Sequence, residues 1–321
     1  MTINLYKKFK DSFVEQIKLT PELSIIAAIS GGQDSTCLIK LIEDIKKTKY
    51  LSKIEYIYID HQWKLNSKYH LDHLINLIHS FKQKISIYQI KSITSSEYEA
   101  RAIRYQILTK HALLNDYNTI ITAHTNTDKI ETFFQLLLRG SGLEGITSLN
   151  ISNQLTQELF IFRPLIKVSR LETSWFCRNF SLPTWSDISN YNYNTYRNRI
   201  RYELIPYLNQ YFGNQTINNL SSFLSIASIE NEYIKQNVLK LYLNARHHKY
   251  IALNYKLIKK QHNTIQIRAL YIFFYHNFNK ILHKEIIYKI LYYFNKNKNY
   301  IRIVQWDKLK INLYFGWLYI N

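Results

Sequence analysis

Residues 25–36 read Ile-Ile-Ala-Ala-Ile-Ser-Gly-Gly-Gln-Asp-Ser-Thr, an apolar run that breaks into Ser30-Gly31-Gly32-Gln33-Asp34-Ser35 and then into a helical pattern. These types in this order suit an anion. Gly31 and Gly32 lack a Cβ, so backbone N–H groups can close on a phosphate at the positive end of the following helix. Ser30 and Ser35 add hydroxyl donors. Asp34 puts a carboxylate where phosphate would sit, which is unfavourable unless a cation lies between them, and Mg²⁺ with its oxygen ligands and retained waters suits that place. No Gly-Lys-Ser/Thr follows, which excludes a Walker A loop, and no Gly-x-Gly-x-x-Gly stands in this strand-to-helix turn to make it a dinucleotide site.

Further groups capable of chemistry lie downstream. Asp60-His61-Gln62-Trp63 ends a strand pattern where an adenosine would lie against the sheet edge, although an Asp there also serves as a simple cap. His61 reads as a substrate or phosphate contact, because no second His stands at ligand spacing. Glu97, Arg101, Arg104 and Tyr105 share a helix surface through i, i+3 and i+4 steps. Two fixed guanidiniums there can clamp a phosphate, and the same pattern also describes a salt-bridged solvent face. His124, Asp128 and Glu131 follow a short apolar run and would bring an imidazole and two carboxylates to one cleft, able to orient an amine or hold Mg²⁺. Arg139-Gly140-Ser141-Gly142-Leu143-Glu144-Gly145 uses three of the chain's 7 glycines, which implies a special backbone conformation and a ligand-contacting loop. Arg163-Pro164-Leu165 and the stretch from Asp187-Ile188-Ser189-Asn190 to Arg197-Asn198-Arg199-Ile200-Arg201, with Tyr191, Tyr193, Tyr196 and Tyr202, complete the set.

The elements needed to position these groups can be read from periodicity. Strand patterns occupy residues 25–29, 53–60, 84–90 and 119–124, and a helical pattern runs over 96–114. Their alternation predicts an α/β fold, an open, mostly parallel doubly wound sheet with its site at the strand C-terminal ends. Ser169-x-x-Glu172 predicts a capping box opening another helix. Residues 209–219 read as a linker, dividing the chain into an expected catalytic domain, 1–212, and a smaller, mainly helical, basic domain, 213–321, with a final strand-like run from Leu309 to Ile320.

At 321 residues the chain is long enough for two domains with ordinary cores. Hydrophobic residues make up 46% and charged residues 20%, which fits a globular protein, and no apolar run reaches the roughly 18 residues needed to span a bilayer. The N-terminus has no h-region or Arg/Ser-rich presequence, so the expectation is a protein working in the compartment where it is made. Cys37 and Cys177 are the only cysteines, expected as buried thiols in a reducing compartment, and they form no Cys-x-x-Cys pair. The crowding of Ile, Asn, Lys and Tyr, residues with AT-rich codons, points to a plastid or a reduced bacterium. The net charge is +19, and residues 231–321 hold 16 Lys/Arg against 3 Asp/Glu. That stretch interleaves bases with aromatics, as in His247-His248-Lys249-Tyr250, which suits phosphates and stacked bases of a structured RNA.

The ordered set of Ser30–Ser35, Asp60-His61, Ala100–Tyr105, Ala123–Thr132, Arg139–Ile146, Arg163–Leu165 and Asp187–Arg201 resembles the tRNA(Ile)-lysidine synthetase family of the N-type ATP pyrophosphatases. The likeness covers about residues 20–210. It departs at Thr125, Thr127 and Lys129, where the family carries His, Asp and Gln. The resemblance implies an adenine nucleotide alpha hydrolase-like fold and ATP bound by Ser30, Gly31, Gly32, Gln33, Asp34, Ser35, Asp60 and His61. It further implies catalytic roles for Asp34, Asp128, His124, Arg101, Arg104 and Glu131, with Asp34 as the Mg²⁺ ligand. Arg139, Ser141, Arg163, Arg197, Asn198, Arg199 and Arg201 are then the expected tRNA or substrate contacts. The implied partners are the CAU-anticodon isoleucine tRNA and free L-lysine, with no membrane, and a homodimer is left open. ATP would adenylate the wobble cytidine at its C2 oxygen, and the lysine amine would displace AMP. A tRNA thiolase of the same superfamily is the alternative, disfavoured by the missing cysteine pair.

Overall fold

The computed structural model describes residues 2–19, 22–46, 51–61, 67–90, 96–185, 195–296, 300–306 and 309–320. The chain forms two compact units, Met1–Leu224 and Ser225–Asn321. The expected contacts at Gln62, Trp63, Asp187–Asn190, Tyr191 and Tyr193 lie outside the described residues.

The first unit runs α1 (Thr2–Leu19), β1 (Leu23–Ile29), α2 (Gln33–Lys46), β2 (Leu51–Asp60), α3 (Ser67–Ser80), β3 (Lys84–Gln89), α4 (Glu97–Leu114), β4 (Thr119–Thr122), α5 (Asn126–Leu138), α6 (Leu143–Ile146), β5 (Ser152–Gln154), β6 (Phe160–Phe162), α7 (Arg170–Asn179), α8 (Tyr196–Arg199), a π-helical stretch (Ile200–Leu204) and α9 (Ile205–Phe212). The six strands order as β3-β2-β1-β4-β6-β5, parallel except for the edge pair β5–β6. The doubly wound sheet expected from periodicity is therefore present, and its four long strands lie within two residues of their predicted bounds at each end. The three-residue strands β5 and β6 are additional.

β1 explains why both faces must be covered. Ile25 and Ala27 face a cluster with Leu5, Phe9 and Phe13 of α1 and Leu38 and Leu41 of α2, while Ile26 faces Leu108 and Ala112 of α4. Such doubly buried strands read as continuous apolar runs. The spacing Leu5, Phe9, Phe13 makes α1 amphipathic, and Phe13 meets Phe162 of β6 edge-on with centroids 5.1 Å apart.

Strand order reverses at β1, which has β2 on one side and β4 on the other. Open α/β sheets bind ligands at such a switch point, outside the strand C-terminal ends. The glycine loop leaves β1 there and His124 follows β4 there.

After α9, Gly213 takes φ 93° and the chain turns into α10 (Thr216–Ala245). The first turns of α10 belong to the first unit, where Ile217, Leu220 and Leu224 pack with Ile130 and Phe133 of α5. The division between units thus falls within α10. Beyond it come β7 (Ala252–Asn254), α11 (Tyr255–Ile258), α12 (Asn263–Phe278), α13 (Lys284–Phe294), β8 (Tyr300–Trp306), β9 (Leu309–Tyr314) and β10 (Trp317–Ile320). Their core joins Leu270, Phe273, Phe274, Ile290 and Phe294 to Ile311, Leu313 and Leu318. The sheet β7-β10-β9-β8 is antiparallel. The predicted single run Leu309–Ile320 is a hairpin, because Phe315 (φ 43°) and Gly316 (φ 92°) both adopt the left-handed backbone that two-residue turns favour.

Candidate active site

Three helix N-termini define the site, those of α2, α5 and α7. Gly31 takes φ 71°, the conformation for which glycine is suited, and lets β1 pass into α2. Ser35 Oγ accepts the Ser30 N–H at 2.9 Å and lies 3.0 Å from Ser30 Oγ, so the two serines brace the loop from either end. Gln33 donates to the Arg170 carbonyl at 2.9 Å and to Thr173 Oγ1 at 2.8 Å, fastening the loop to α7. Cys177 of α7 donates its thiol to the Gln33 carbonyl at 3.4 Å. Cys37 and Cys177 are free and buried, as expected, and a mutual hydrogen bond together with burial pushes the Cys37 thiol up.

Asp34 stands in the first turn of α2, accepting a hydrogen bond from Thr173 Oγ1, with Arg170 Nη1 at 3.9 Å from Oδ2. Burial pushes its carboxyl up to about 6; the charge of Asp128 adds to this while Arg170 and Arg201 oppose it. Asp34 and Asp128 therefore feel each other's charge in one cleft. Asp34 Oδ2, with Arg170 no nearer than 3.9 Å, is the oxygen that could take a divalent cation whose remaining ligands are phosphate oxygens and water. Among the described residues no group of three or more His, Cys, Asp or Glu forms a metal cage.

α5 begins with a capping box. Thr125 Oγ1 and N–H both donate to Asp128 Oδ2, at 2.9 and 2.8 Å, while the Asp128 N–H returns to Thr125 Oγ1 at 3.4 Å. α7 begins in the same way, with Ser169 and Glu172 in the box predicted from sequence. The two starts abut: Asn126 N–H donates to the Val168 carbonyl at 2.8 Å, and Arg170 N–H to Thr127 Oγ1 at 3.2 Å.

Asp128 Oδ1 accepts from Arg197 Nη2 at 2.6 Å. Burial alone would raise this carboxyl, but Arg197, the Thr125 N–H and Arg201 outweigh it and hold it below the usual range. Glu131, fully enclosed, accepts from Arg197 Nε at 2.8 Å and from Arg201 Nη2 at 2.8 Å, and also pairs with Arg201 Nε. The basic stretch 195–201 is thereby fastened to α5 by two carboxylates.

His124 lies above β4 with Nδ1 2.8 Å from Thr122 Oγ1. Burial, joined by the charges of Arg163, Arg101 and Arg197, pushes its pKa down to about 3 against the pull of Asp128, so the imidazole is neutral at pH 7. Arg163, 3% exposed, donates to the Asn150 carbonyl at 2.8 Å and faces Tyr105. Arg101 stacks its guanidinium over Tyr105 at 5.2 Å. Arg104 acts instead on His61, whose pKa is lowered first by burial and then by that charge, with Asp60 opposing.

The structure thus brings Asp34, Asp128, Glu131, His124, Arg101, Arg163, Arg197 and Arg201 to one electrostatic neighbourhood, and sets Asp60, His61 and Arg104 together at the end of β2. It places others apart. Arg199 is exposed and pairs with Glu203 at 3.1 Å, and the backbone N–H of Asn198 donates to Thr195 Oγ1, the α8 cap. Arg139 and Ser141 sit at the far end of α5, roughly 16 Å along its axis from Asp128 at 1.5 Å per residue. Gly140 there takes φ 72°, and Ser141 N–H reaches the Leu136 carbonyl at 2.9 Å while Gly140 N–H reaches Leu137 at 2.9 Å, so the expected special conformation is a helix stop. Arg170 and Thr173 were not singled out by sequence. The only signal was the capping box beside them.

Comparison with known proteins places this geometry. Residues 2–208 match the PP-loop domain family. The chain is 48% identical, over 99% of its length and 98% of the relative's, to the chloroplastic tRNA(Ile)-lysidine synthase of Gracilaria tenuistipitata var. liui. It is 36% identical, over 91% of its length and 89% of the relative's, to the chloroplastic tRNA(Ile)-lysidine synthase of Pyropia yezoensis. Among solved structures, the U34-tRNA thiolase of Methanococcus maripaludis with its [4Fe-4S] cluster superposes with a TM-score of 0.53 at 12% identity, covering 63% of this chain and 72% of that one. At that identity the likeness is one of fold.

Proposed function

The chain belongs to the PP-loop family and, within it, to the tRNA(Ile)-lysidine synthases, and on that footing we propose that it ligates L-lysine to the wobble cytidine of the CAU-anticodon isoleucine tRNA. It is an ATP-using ligase acting on tRNA. The proposed reaction has two steps. The cytidine C2 oxygen attacks the α-phosphorus of ATP and pyrophosphate leaves; the ε-amine of lysine, having lost a proton, then attacks C2, and AMP leaves with the oxygen. The product changes the codon read from AUG to AUA.

The observation that carries this reading is the meeting of a glycine loop, two opposed carboxylates and several arginines at the switch point of the sheet. Ser30 to Ser35 would cradle the leaving pyrophosphate on the α2 N-terminus. Arg101 or Arg104 would steady negative charge developing at the α-phosphate. Mg²⁺ bound at Asp34 would supply charge neutralisation between carboxylate and phosphate. His124, kept neutral by its surroundings, offers a hydrogen-bonding nitrogen to the incoming amine rather than a repelling cation. Glu131, whose oxygens are both engaged by arginines, would act by holding Arg197 and Arg201 toward the substrate. Asp60 and His61 would meet the adenosine. The basic second unit would hold the body of the tRNA, and the protein would work in the plastid stroma from an organelle gene, with a bacterial cytoplasm as the alternative.

The test is to incubate protein, ATP, labelled lysine and tRNA transcripts bearing C or U at the wobble position. Label entering only the C transcript, with one AMP and one pyrophosphate per lysine, supports the reading. Incorporation into the U transcript, or none into either, overturns it. The thiolase alternative lacks support in this chain: a thiolate-held cluster needs more thiols than Cys37 and Cys177, and both are buried.

A further inference from the structure

A polar cavity of about 220 Å³ opens in the second unit, lined in part by Tyr242, Arg246, His247, His248, Tyr250 and His276. No carboxylate lines it. Its hydrogen-bonding polarity is set by the fold. His247 Nδ1 accepts two backbone N–H groups, from Lys249 at 3.0 Å and Tyr250 at 3.1 Å, so this nitrogen carries no proton and Nε2–H is a donor. The Tyr242 hydroxyl lies 2.7 Å from His276 Nδ1 and accepts from Asn277; in the tautomer where that hydroxyl donates to Nδ1, the His276 proton sits on Nε2. The Arg246 charge acts on the same Tyr242 hydroxyl. The mouth is aromatic: Tyr250 is 56% exposed, and the His247 ring is wedged between Tyr250 and Trp317, with centroids 5.0 and 4.9 Å away. Lys249 Nζ stands 5.8 Å from the Tyr250 centroid.

A cavity with a guanidinium and imidazoles on its wall and no carboxylate, beside an exposed ring, is complementary to a phosphate attached to a base. Its volume is smaller than the ~300–1,000 Å³ of ordinary small-molecule sites, which suits one nucleotide of a larger chain better than a whole cofactor. We propose that this cavity captures a single unpaired nucleotide of the bound tRNA, its phosphate against Arg246 and the His247 Nε2–H and its base stacked on Tyr250. The inference rests on the second unit being a tRNA-binding surface. Because stacking is indifferent to base identity, the site adds affinity and register without reading sequence.

The experiment uses the full chain and the isoleucine tRNA transcript, with filter-binding isotherms from low to high salt for wild type, Tyr250→Ala, Tyr250→Phe and Arg246→Gln. Tyr250→Ala is expected to weaken binding on the order of 10-fold while Tyr250→Phe, which keeps the ring, stays near wild type. Arg246→Gln is expected to reduce the log–log salt slope by about 0.7 to 0.9, the loss of one phosphate contact. Both substituted residues, Arg246 and Tyr250, sit at the surface, and unchanged melting curves of the three variants establish that folding is intact. Wild-type-like affinity and slope in both Tyr250→Ala and Arg246→Gln overturn the pocket while a steep wild-type slope keeps the tRNA-binding reading. A flat slope in wild type itself overturns that reading and the pocket with it. Equilibrium dialysis with labelled AMP separates the sources: binding of AMP abolished by Tyr250→Ala, with tRNA affinity unmoved, identifies a free-nucleotide site and overturns the proposal.

Discussion

The hydroxyl of Thr173 donates to Asp34 across the packing of α7 on α2, so the carboxylate of the glycine loop is oriented by a residue 139 positions away. The same hydroxyl accepts from Gln33 at 2.8 Å, so one side chain orients two consecutive residues of the loop. The α7 helix is therefore part of the nucleotide site even though its sequence carries no phosphate motif.

The raised pKa of Asp34 links the site to stability. Its value of about 6 lies above the ordinary 3.8, so between those pH values the folded state holds more protons than the unfolded state. This group's contribution is full below about pH 4 and is lost as pH rises through 6, a change on the order of 2–3 kcal/mol. Asp34→Asn should therefore raise the melting temperature at pH 7.5 without nucleotide, while pyrophosphate release falls by orders of magnitude. A lower melting temperature with near-normal turnover would sink this account.

Glu131→Gln leaves Arg197 and Arg201 without their enclosed counter-charge. Breaking such a pair from one side costs about 3–5 kcal/mol. Urea unfolding measures it, and a double-mutant cycle with Arg201→Gln should give a coupling above about 1 kcal/mol. Additive effects would show that the pairing adds nothing.

Arg197 and Arg199 are two residues apart and should behave oppositely. Arg199→Ala removes an exposed partner of Glu203, 58% accessible, and should leave stability within about 0.5 kcal/mol. Arg197→Ala strips both Asp128 and Glu131 of a donor and should destabilise by about 3 kcal/mol. Parallel melts of the two variants decide it, and equal losses would contradict the geometry.

Glu55 governs acid sensitivity. Burial raises its carboxyl, but hydrogen bonds from Ser86, Tyr117, Lys84 and His111 win and hold it at about 2. A depressed carboxylate contributes stability that is present above its unfolded value near 4.5 and lost as pH falls through 2. Glu55→Gln should flatten the stability profile between pH 5 and 2 by on the order of 3 kcal/mol, read from urea unfolding across that range. A wild-type profile retained in the variant would refute the assignment.

What the sequence made legible follows periodicity and local chemistry. The apolar run before Ser30 and the Leu38, Leu41, Ile42 spacing after it specify a strand, a turn and a helix whatever the rest of the chain does. Ser169 and Glu172 announce their own capping box. The pairing of Glu131 with Arg197 and Arg201 was not legible, because it joins segments about seventy residues apart through tertiary packing. Short β5 and β6 carry too few residues for a period. The hairpin within 309–320 hid because its turn is Phe315-Gly316, where an aromatic residue stands at a position that Asn or Asp usually marks.

Thr125 ties the start of a helix to the setting of a carboxylate. The family pattern carries an imidazole there, whereas here the hydroxyl both starts α5 and holds Asp128 Oδ2. A histidine placed at 125 keeps the backbone N–H that meets Asp128 Oδ2 but loses the hydroxyl that shares the task and caps α5, so it would loosen the carboxylate that Arg197 grips. What position 125 tolerates is thus coupled to residues 128 and 197, and a substitution there is felt two side chains away.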